Sequence, residues 1–445
     1  MAAKPRIFIP TLYFIEGLPF TIVNNMSVAF FKTLAMNNEA LAFFTSLLYI
    51  PWTYKLFWAP LIDIYKTRRA WIIGTQIVLT MTSALLMVAV FIPQGTAILL
   101  LVFTVMAFVS ATQDVAIDGY YLDVLDKEQQ DFYVGVRGTA YKVAWLFGSG
   151  ALVYLAGVVA EKVHMPGANA IGWCAAFGVC TAIFAVFAYV HSRILPIVEN
   201  AQTENTTAAL EAAASHSDHK DTGSGIQEGF VALIKALPII FKDFCAQPRI
   251  QVIFLYILIF RLGDALLMKM AQPFLLDPPS AGGLGLSVAD VGKVYGGVGT
   301  LFLLVGGISG SALISKIGLQ RCIIPFALIQ NSSLLLYWYL ATHKPDIVLI
   351  CIVNAFEQFS YGLGTSSYMV FLLSTVKPKY KASQFAIVTA LMAYGVMLPG
   401  MGAGLLQSKL GYANFFLVSF FASLPGIITI PFLPMKQLAA RRAEQ

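Results

Sequence analysis

Charged residues are scarce in this chain of 445 residues. Asp, Glu, Lys and Arg make up 12% of the sequence, whereas hydrophobic residues make up 58%. Soluble globular chains carry about 25% charged residues. The mean hydropathy is +0.75, and long apolar runs recur from one end to the other. The composition leaves no soluble domain of useful size and predicts an all-α polytopic membrane protein.

Cysteine is also rare, and its positions show no metal-binding or redox spacing. The five cysteines are Cys174, Cys180, Cys245, Cys322 and Cys351. Each lies in an apolar segment, so we expect small buried side chains. His216 and His219 have a metal-like spacing without partners, and we expect them to be solvated. We therefore expect no metal and no organic cofactor.

Motifs of enzymes and of nucleotide-binding proteins are missing as well. The sequence contains no His-Glu-x-x-His, no Gly-x-Ser-x-Gly and no P-loop. The segment Arg261-Leu-Gly-Asp264 resembles the Gly-x-Gly-Asp of intramembrane aspartyl proteases, but arginine replaces the first glycine. We therefore predict no enzyme activity, while a transporter-like membrane sensor stays open. The net charge of +6 is interpreted as a topology signal, and nucleic acid is not an expected partner.

Apolar segments long enough to cross a bilayer of about 30 Å occur in two sets of six. The first set lies at 8–33, 40–61, 70–92, 96–124, 133–160 and 168–191. The second set lies at 249–275, 288–315, 322–342, 346–375, 383–406 and 412–434. We predict 12 transmembrane helices: an N-terminal six-helix bundle over 1–195, a C-terminal six-helix bundle over 248–435 and a tail over 436–445.

A polar stretch separates the two sets. Residues 199–225 contain almost no large apolar residue and cannot bury a core. In residues 226–244 apolar side chains recur at helical spacing with charges between them, which predicts a helix along the membrane surface. We assign 196–247 as a cytoplasmic linker that contains this surface helix.

Basic residues predict the orientation. With both termini in the cytoplasm, the cytoplasmic side holds Lys4, Arg6, Lys66, Arg68, Arg69, Arg193, Lys316, Arg321, Lys377, Lys379, Lys381, Lys436, Arg441 and Arg442. The outer side holds Lys32, Lys162, Lys344 and Lys409. The asymmetry predicts a multi-pass protein of the cytoplasmic (inner) membrane with both termini inside. We expect it to be a monomer in the lipid bilayer.

A weak internal repeat relates the two sets of spans. Short basic turns follow the second span, at Asp63-Ile-Tyr-Lys-Thr-Arg-Arg69, and the eighth, at Ser315-Lys-Ile-Gly-Leu-Gln-Arg321. An offset of 247 residues also places Gly148 on Gly395 and Gly157 on Gly404. This order favours the major facilitator fold, in which two bundles surround a cavity that opens alternately to either side. We expect gating contacts at Asp63, Arg68, Arg69, Lys316 and Arg321.

The fourth span ends in three acids. An ionised side chain near the bilayer centre costs at least about 2.5 to 3.5 kcal/mol, so such acids normally face a bundle interior. Asp114 and Asp118 are four residues apart and share one helical face, whereas Asp123 lies nearer the cytoplasmic end. The alternative is that the helix ends early and all three acids are solvated.

Three stretches inside the spans combine charged, aromatic and turn-forming residues. They are Tyr54-Lys-Leu-Phe-Trp-Ala-Pro-Leu-Ile-Asp63 with Arg68-Arg69, Gln113-Asp-Val-Ala-Ile-Asp-Gly-Tyr120, and Arg261-Leu-Gly-Asp-Ala265. Together they resemble the AmpG muropeptide permease family, in the peptide and acetyl-coenzyme A transporter branch of the major facilitators. The loop after Asp63 is shorter than in AmpG itself, and Arg261 stands where the family more often has lysine.

The resemblance implies a secondary active transporter that imports cell-wall fragments by proton coupling. The implied substrates are GlcNAc-anhydro-MurNAc sugars with or without peptide. Acetyl-coenzyme A or another small solute is the alternative within the same fold.

Among the cations inside the spans, Lys55 can pair with Asp114 or Asp118, or extend to the membrane surface. Arg137 and Lys142 are five residues apart and point in different directions. We therefore expect at most one of them at the cavity, and Arg137 beside an acid.

Arg261 and Asp264 are three residues apart in the seventh span. They can form an ion pair within one helix or bind substrate, and both alternatives stay open.

Glu16 and Glu357 each lie alone in an apolar stretch. A carboxyl group in apolar surroundings can exchange protons near neutrality, as a proton-coupled carrier requires. The alternative for each is a protonated acid that donates to a backbone carbonyl. Glu16 and Asp118 are the leading proton carriers.

Acids and cations inside the spans are about equally frequent. The cations are Lys55, Arg137, Lys142, Arg261 and Lys269, and the acids are Glu16, Asp114, Asp118, Asp123, Asp264 and Glu357. With Gln113 and Tyr120, these residues predict a mixed-charge cavity, which suits an amino sugar or muropeptide and disfavours a polyphosphate.

Overall fold

A computed structural model describes residues 5–198, 240–377, 381–435 and 437. The regular elements in these residues are helices. Ten of the helical ranges are long and apolar enough to cross a bilayer. The last of these ranges turns at Gly411, where φ is 69°, and therefore counts as two spans. An interrupted helix over 38–64, directly after the first range, is a further span. The described residues therefore contain twelve spans, as predicted.

The first six spans form the first half of the chain. They are α1 (Pro5–Thr33), α2 (38–64), α3 (Arg68–Ala89), α4 (Thr96–Val124), α5 (Glu128–Lys162) and α6 (Ala168–Ile194). The other six form the second half. They are α7 (Ile250–Leu276), α8 (Val288–Ile317), α9 (Leu319–His343), α10 (Ile347–Thr375), α11 (381–410) and α12 (412–429).

Capping residues explain where several spans begin. A short polar side chain directly before an apolar run accepts a hydrogen bond from the third residue on, which satisfies one free amide of the first turn. Such caps are Asn37 before α2, Thr67 before α3, Asp126 before α5, Ser287 before α8 and Asp346 before α10. Polar residues that interrupt the apolar runs therefore set the helix starts.

The second span differs from the single helix expected over 40–61. It consists of Asn38–Leu47, Ile50–Tyr54, a 3₁₀ turn over Lys55–Phe57, and Ala59–Ile64. Prolines at 51 and 60 supply no amide hydrogen to a helical ladder, which explains the interruptions. Lys55 therefore lies on a tightened turn in the middle of the span.

The two halves approach closely along α5 and α8. Both helices widen into π-helical segments, Phe147–Leu152 and Gly292–Gly299, which pack against each other. A methyl group at Gly296 would overlap the backbone of Ser149 and Gly150. The backbones can approach this closely because Gly296 has no side chain.

One of the two glycine pairs related by the sequence offset, Gly157 and Gly404, lies at contacts between the halves. A methyl group at Gly157 on α5 would overlap the backbone of Ala289 on α8, and one at Gly404 on α11 would overlap Asn38 on α2. The other pair lies within the halves, with Gly148 against Thr21 on α1 and Gly395 against Leu258 on α7.

The polar stretch over 199–225, within the linker predicted over 196–247, lies outside the described residues, as do most of the predicted surface helix and almost all of the tail over 436–445. Of the predicted surface helix over 226–244, only residues 240–244 are described, and they are helical.

Candidate functional site

A cavity lies between the two halves. Its walls come from α1, α2 and α5 of the first half and from α7, α8, α10 and α11 of the second. Its charged residues are Lys142, Arg261, Lys269 and Glu357, and its other polar and aromatic residues include Asn24, Ser46, Trp145, Gln272, Gln358, Tyr361 and Thr365. Both halves of the chain therefore contribute residues to one site.

The charge of this cavity differs from the expected balance. Three cations and one acid line it. The acids Asp114 and Asp118 face α1, α2 and α5 within the first half, and Asp264 contacts Gln330 on α9. Most acids therefore point away from the cavity, which leaves it with a surplus of positive charge. A count of charged residues in the sequence could not show which way each helix faces.

Lys55 is paired with Asp114. Its ammonium group donates to Asp114 Oδ2 across α2 and α4. The ammonium is about one-third exposed and the carboxylate is mostly buried. Of the two alternatives for Lys55, pairing is therefore confirmed and extension to the surface is wrong.

Arg137 has an acid partner, as predicted, and the structure shows that this acid is Asp118. Arg137 Nη2 lies 3.4 Å from Asp118 Oδ1, which also accepts a hydrogen bond of 3.0 Å from Tyr13. The guanidinium lies over the rings of Tyr13 and Tyr121, at 4.8 and 5.3 Å. Since Lys142 on the same helix lines the cavity, the prediction that these two cations point in different directions is also confirmed.

Glu16 is not alone, contrary to the expectation from its apolar context. One carboxylate oxygen each from Glu16, Asp114 and Asp118 lie within 4.8 Å of one another. Glu16 is 6% exposed, and its Oε2 has no hydrogen-bond partner among the described residues. The tertiary fold brings α1 against α4, so three acids share one site, here called the acid cluster.

An aromatic group adjoins the acid cluster on the cavity side. Phe20, one helical turn after Glu16, contacts the rings of Tyr49, Trp52, Tyr141 and Trp145 at centroid distances of 4.9 to 6.0 Å. Phe20 and Trp145 also line the cavity. The rings at this cavity wall thus lie one helical turn from Glu16 of the acid cluster.

Asp123 and Arg68 form a second buried pair in the first half, with Nη1 2.5 Å from Oδ1. Arg69 donates to the carbonyls of Ser192 and Leu195 at 2.5 and 3.0 Å. The side chain of Asp63 lies outside the described part of the chain. A gate between Asp63 and Arg69 therefore stays a prediction.

Arg261 and Asp264 do not form the ion pair that their spacing allowed. The helix is interrupted at Arg261, between Ile250–Ile259 and Leu262–Leu276, so the regular helical spacing is lost. Asp264 instead accepts a hydrogen bond from Gln330. Arg261 lines the cavity, with its guanidinium 4.8 Å over the ring of Tyr361.

Other predicted site residues lie away from the cavity. Gln113 donates to the carbonyl of Ile15 at 2.9 Å, and Tyr120 donates to that of Pro196 at 2.9 Å. Lys316 and Arg321 are exposed. The functional roles proposed for these four residues stay predictions. Glu357, by contrast, lines the cavity and accepts a hydrogen bond of 2.8 Å from Gln358.

A polar contact between the halves was not expected from the sequence. Lys32 on α1 lies 2.6 Å from Asp277, just after α7. Asp277 also accepts from Asn38 at 3.1 Å and from Tyr412 at 2.6 Å. We call these four residues the distal lock. Their position at span ends was the available signal, but spacing could not indicate that they meet.

Comparison with known proteins assigns the family. Residues 11–400 match the family described as Major Facilitator Superfamily. The chain belongs to this superfamily. It is therefore a multi-pass membrane transporter, as predicted from the two sets of six spans.

Relatives support the AmpG resemblance. The anhydromuropeptide permease of Escherichia coli strain K12 is 26% identical over 426 residues, which cover 94% of this chain and 77% of the permease. A putative transporter, AmpG 4 of Rickettsia felis, is 23% identical over 440 residues, which cover 97% and 96% of the two chains. The resemblance drawn from the three motif stretches is thereby confirmed.

Solved structures share the fold. A D-xylose-proton symporter has a TM-score of 0.68 at 10% identity, with 96% of this chain and 95% of that chain covered. The nucleoside transporter NupG has a TM-score of 0.64 at 14% identity, with 96% and 98% covered. At these identities the likeness concerns the fold alone.

Proposed function

We propose that this protein imports anhydro-muropeptides, or their amino-sugar core, across the cytoplasmic membrane by proton-coupled alternating access. The observation that carries the proposal is the similarity to the E. coli anhydromuropeptide permease along 94% of the chain. The proposed arrangement is a monomer with both termini in the cytoplasm. We expect no cofactor beyond the proton gradient.

The cavity has the groups that such a ligand needs. Asn24, Ser46, Gln272 and Thr365 line it, and Oδ1, Oγ, Oε1 and Oγ1 of these residues are buried without a hydrogen-bond partner among the described residues. Buried polar atoms require a partner, and the hydroxyl and acetamido groups of an amino sugar can supply it. Trp145 and Tyr361 offer flat faces for sugar rings.

The acid cluster is the proposed proton site. Glu16, Asp114 and Asp118 carry three negative charges when ionised, and Lys55 and Arg137 neutralise two of them. One unpaired buried carboxylate remains, and a proton removes its charge at the lowest cost. Since only one negative charge is left unneutralised, the charge balance favours a proton over a divalent metal ion at the cluster.

An anion other than a muropeptide is the second candidate, because three of the four charged residues of the cavity are cations. Acetyl-coenzyme A, with several phosphate charges, would also suit this surplus. A sensor of the same fold would bind ligand without moving it.

Uptake into proteoliposomes tests the proposal. Anhydro-muropeptide, its free amino sugars and acetyl-coenzyme A are offered separately, each with and without an imposed pH gradient. We expect saturable accumulation of anhydro-muropeptide that depends on the gradient. Accumulation of acetyl-coenzyme A alone would replace the substrate assignment, and ligand binding without flux would indicate a sensor.

A further inference from the structure

Arg261 is a buried cation whose hydrogen-bonding capacity the protein does not use in full. The residue is 7% exposed. Nη2 has no acceptor among the described residues, and Arg261 forms no ion pair with a described acid. A buried charge without an ion-pair partner is costly, so such a group indicates a ligand of opposite charge.

Two aromatic rings lie beside this guanidinium. Its Cζ lies 4.8 Å from the ring centre of Tyr361 and 6.0 Å from that of Tyr368. Stacking on a ring leaves the N–H edge free, and that edge matches the two oxygens of a carboxylate. An arginine beside these rings at the cavity wall can therefore offer its N–H groups to a planar anion.

A second cation faces the same cavity from the other half. Lys142 on α5 lies with its Nζ 5.4 Å from the ring of Trp145, and it too forms no ion pair with a described acid. Lys269, the third cation, donates to Thr45 at 3.4 Å. Arg261 and Lys142 are thus two cations on opposite walls that a substrate can neutralise.

We propose that Arg261 and Lys142 bind two carboxylates of one substrate, and that the cavity therefore selects the peptide-bearing form of the muropeptide. This inference rests on the proposed function. The sugar core without peptide has one carboxylate, on its lactyl group. An L-Ala-D-Glu dipeptide attached there uses that carboxylate in an amide bond and adds two others, so the ligand can contact both halves at once.

Binding of matched ligands to the full-length protein tests the inference. The ligands are the disaccharide with L-Ala-D-Glu, which has two carboxylates, its isoglutamine analogue with one, and the disaccharide lactyl amide with none. Tryptophan fluorescence or calorimetry reports binding without requiring transport. We expect each carboxylate to tighten binding about tenfold, as a charge-assisted contact does.

Variants assign each carboxylate to its residue. Arg261→Gln and Lys142→Gln should each remove the tenfold gain in affinity from one carboxylate. The double variant should bind all three ligands about equally. Arg193→Gln, which removes an exposed arginine at the end of α6, is the matched control and should keep the whole series.

Equal binding of all three ligands by the unmodified protein would overturn the inference while leaving muropeptide transport intact. An unchanged series in Arg261→Gln would overturn it as well. If no muropeptide binds, but acetyl-coenzyme A binds and depends on Arg261, the proposed function itself fails.

Discussion

Lys32 and Asp277 form an ion pair of 2.6 Å that joins the two halves of the chain. Both side chains are mostly buried, and Asn38 and Tyr412 bind the same carboxylate. The contact connects α1 and α2 to the end of α7 and the start of α12. It can exist only when these ends lie together, so it stabilises the state closed at the distal lock.

Asp277→Asn or Lys32→Gln should shift the protein toward the state open at the distal lock. Breaking a mostly buried pair costs more than the roughly 1 kcal/mol of an exposed one, so the population ratio should change at least about fivefold. Distances between spin labels at the exposed residues Met165 and Ser280 measure the shift. The exchanged variant, Lys32→Asp with Asp277→Lys, is the control and should recover closure. Unchanged distances in both single variants would contradict a locking role.

Lys55→Ala should lower uptake at least about tenfold, because Asp114 loses its counter-charge between α2 and α4. Uptake is compared with the amount of protein in the membrane. Lys55→Ala with Asp114→Ala removes both charges, so it should restore the protein level but not uptake. Normal uptake by Lys55→Ala would remove this lysine from the mechanism, and uptake recovered by the double variant would indicate a purely structural pair.

Glu16→Gln should keep exchange of ligand across the membrane but lose accumulation against a gradient. The amide keeps the size of the carboxyl group, whereas it cannot take up and release a proton in the acid cluster. Counterflow in proteoliposomes measures exchange, and uptake driven by a pH gradient measures accumulation. If accumulation survives in both Glu16→Gln and Asp118→Asn, the coupling acid lies elsewhere and Glu357→Gln is the next variant.

Gly296→Ala should block the closed contact between α5 and α8, because the new methyl group would overlap the backbone of Ser149 and Gly150. We expect uptake to fall at least about tenfold, as for other overpacked backbone contacts. Gly297→Ala is the matched control on the same π-helical segment. The nearest atom to its methyl group would lie 3.6 Å away, so its uptake should be close to normal. If both variants reduced uptake equally, any alanine in this π-helical segment would impair the protein, and the contact of Gly296 with α5 would not be the cause.

Ion pairs between charged side chains were only partly predictable from the sequence. Arg261 and Asp264 have the spacing of a helical ion pair, but the helix is interrupted between its two parts at Arg261. Lys55 and Asp114 lie on different helices, and pairing of Lys55 with Asp114 or Asp118 was one of two alternatives left open. Spacing describes a regular helix, so it fails where tertiary contacts interrupt the helix.

The sequence by itself determined the class, the two sets of six spans and the family, because each follows from local composition or from short motifs. Hydrophobic runs must match the thickness of the bilayer whatever their neighbours are. The positions of Arg137 and Lys142 on one helix likewise determined that they point in different directions.

Only the tertiary structure decided which charged side chains meet and which face the cavity. The cluster of Glu16 with Asp114 and Asp118, the distal lock, and the surplus of cations around Arg261 all join residues from different helices. Such contacts depend on the rotation and depth of each helix against its neighbours. Those quantities are set by packing across the whole bundle, and no single stretch of sequence contains them.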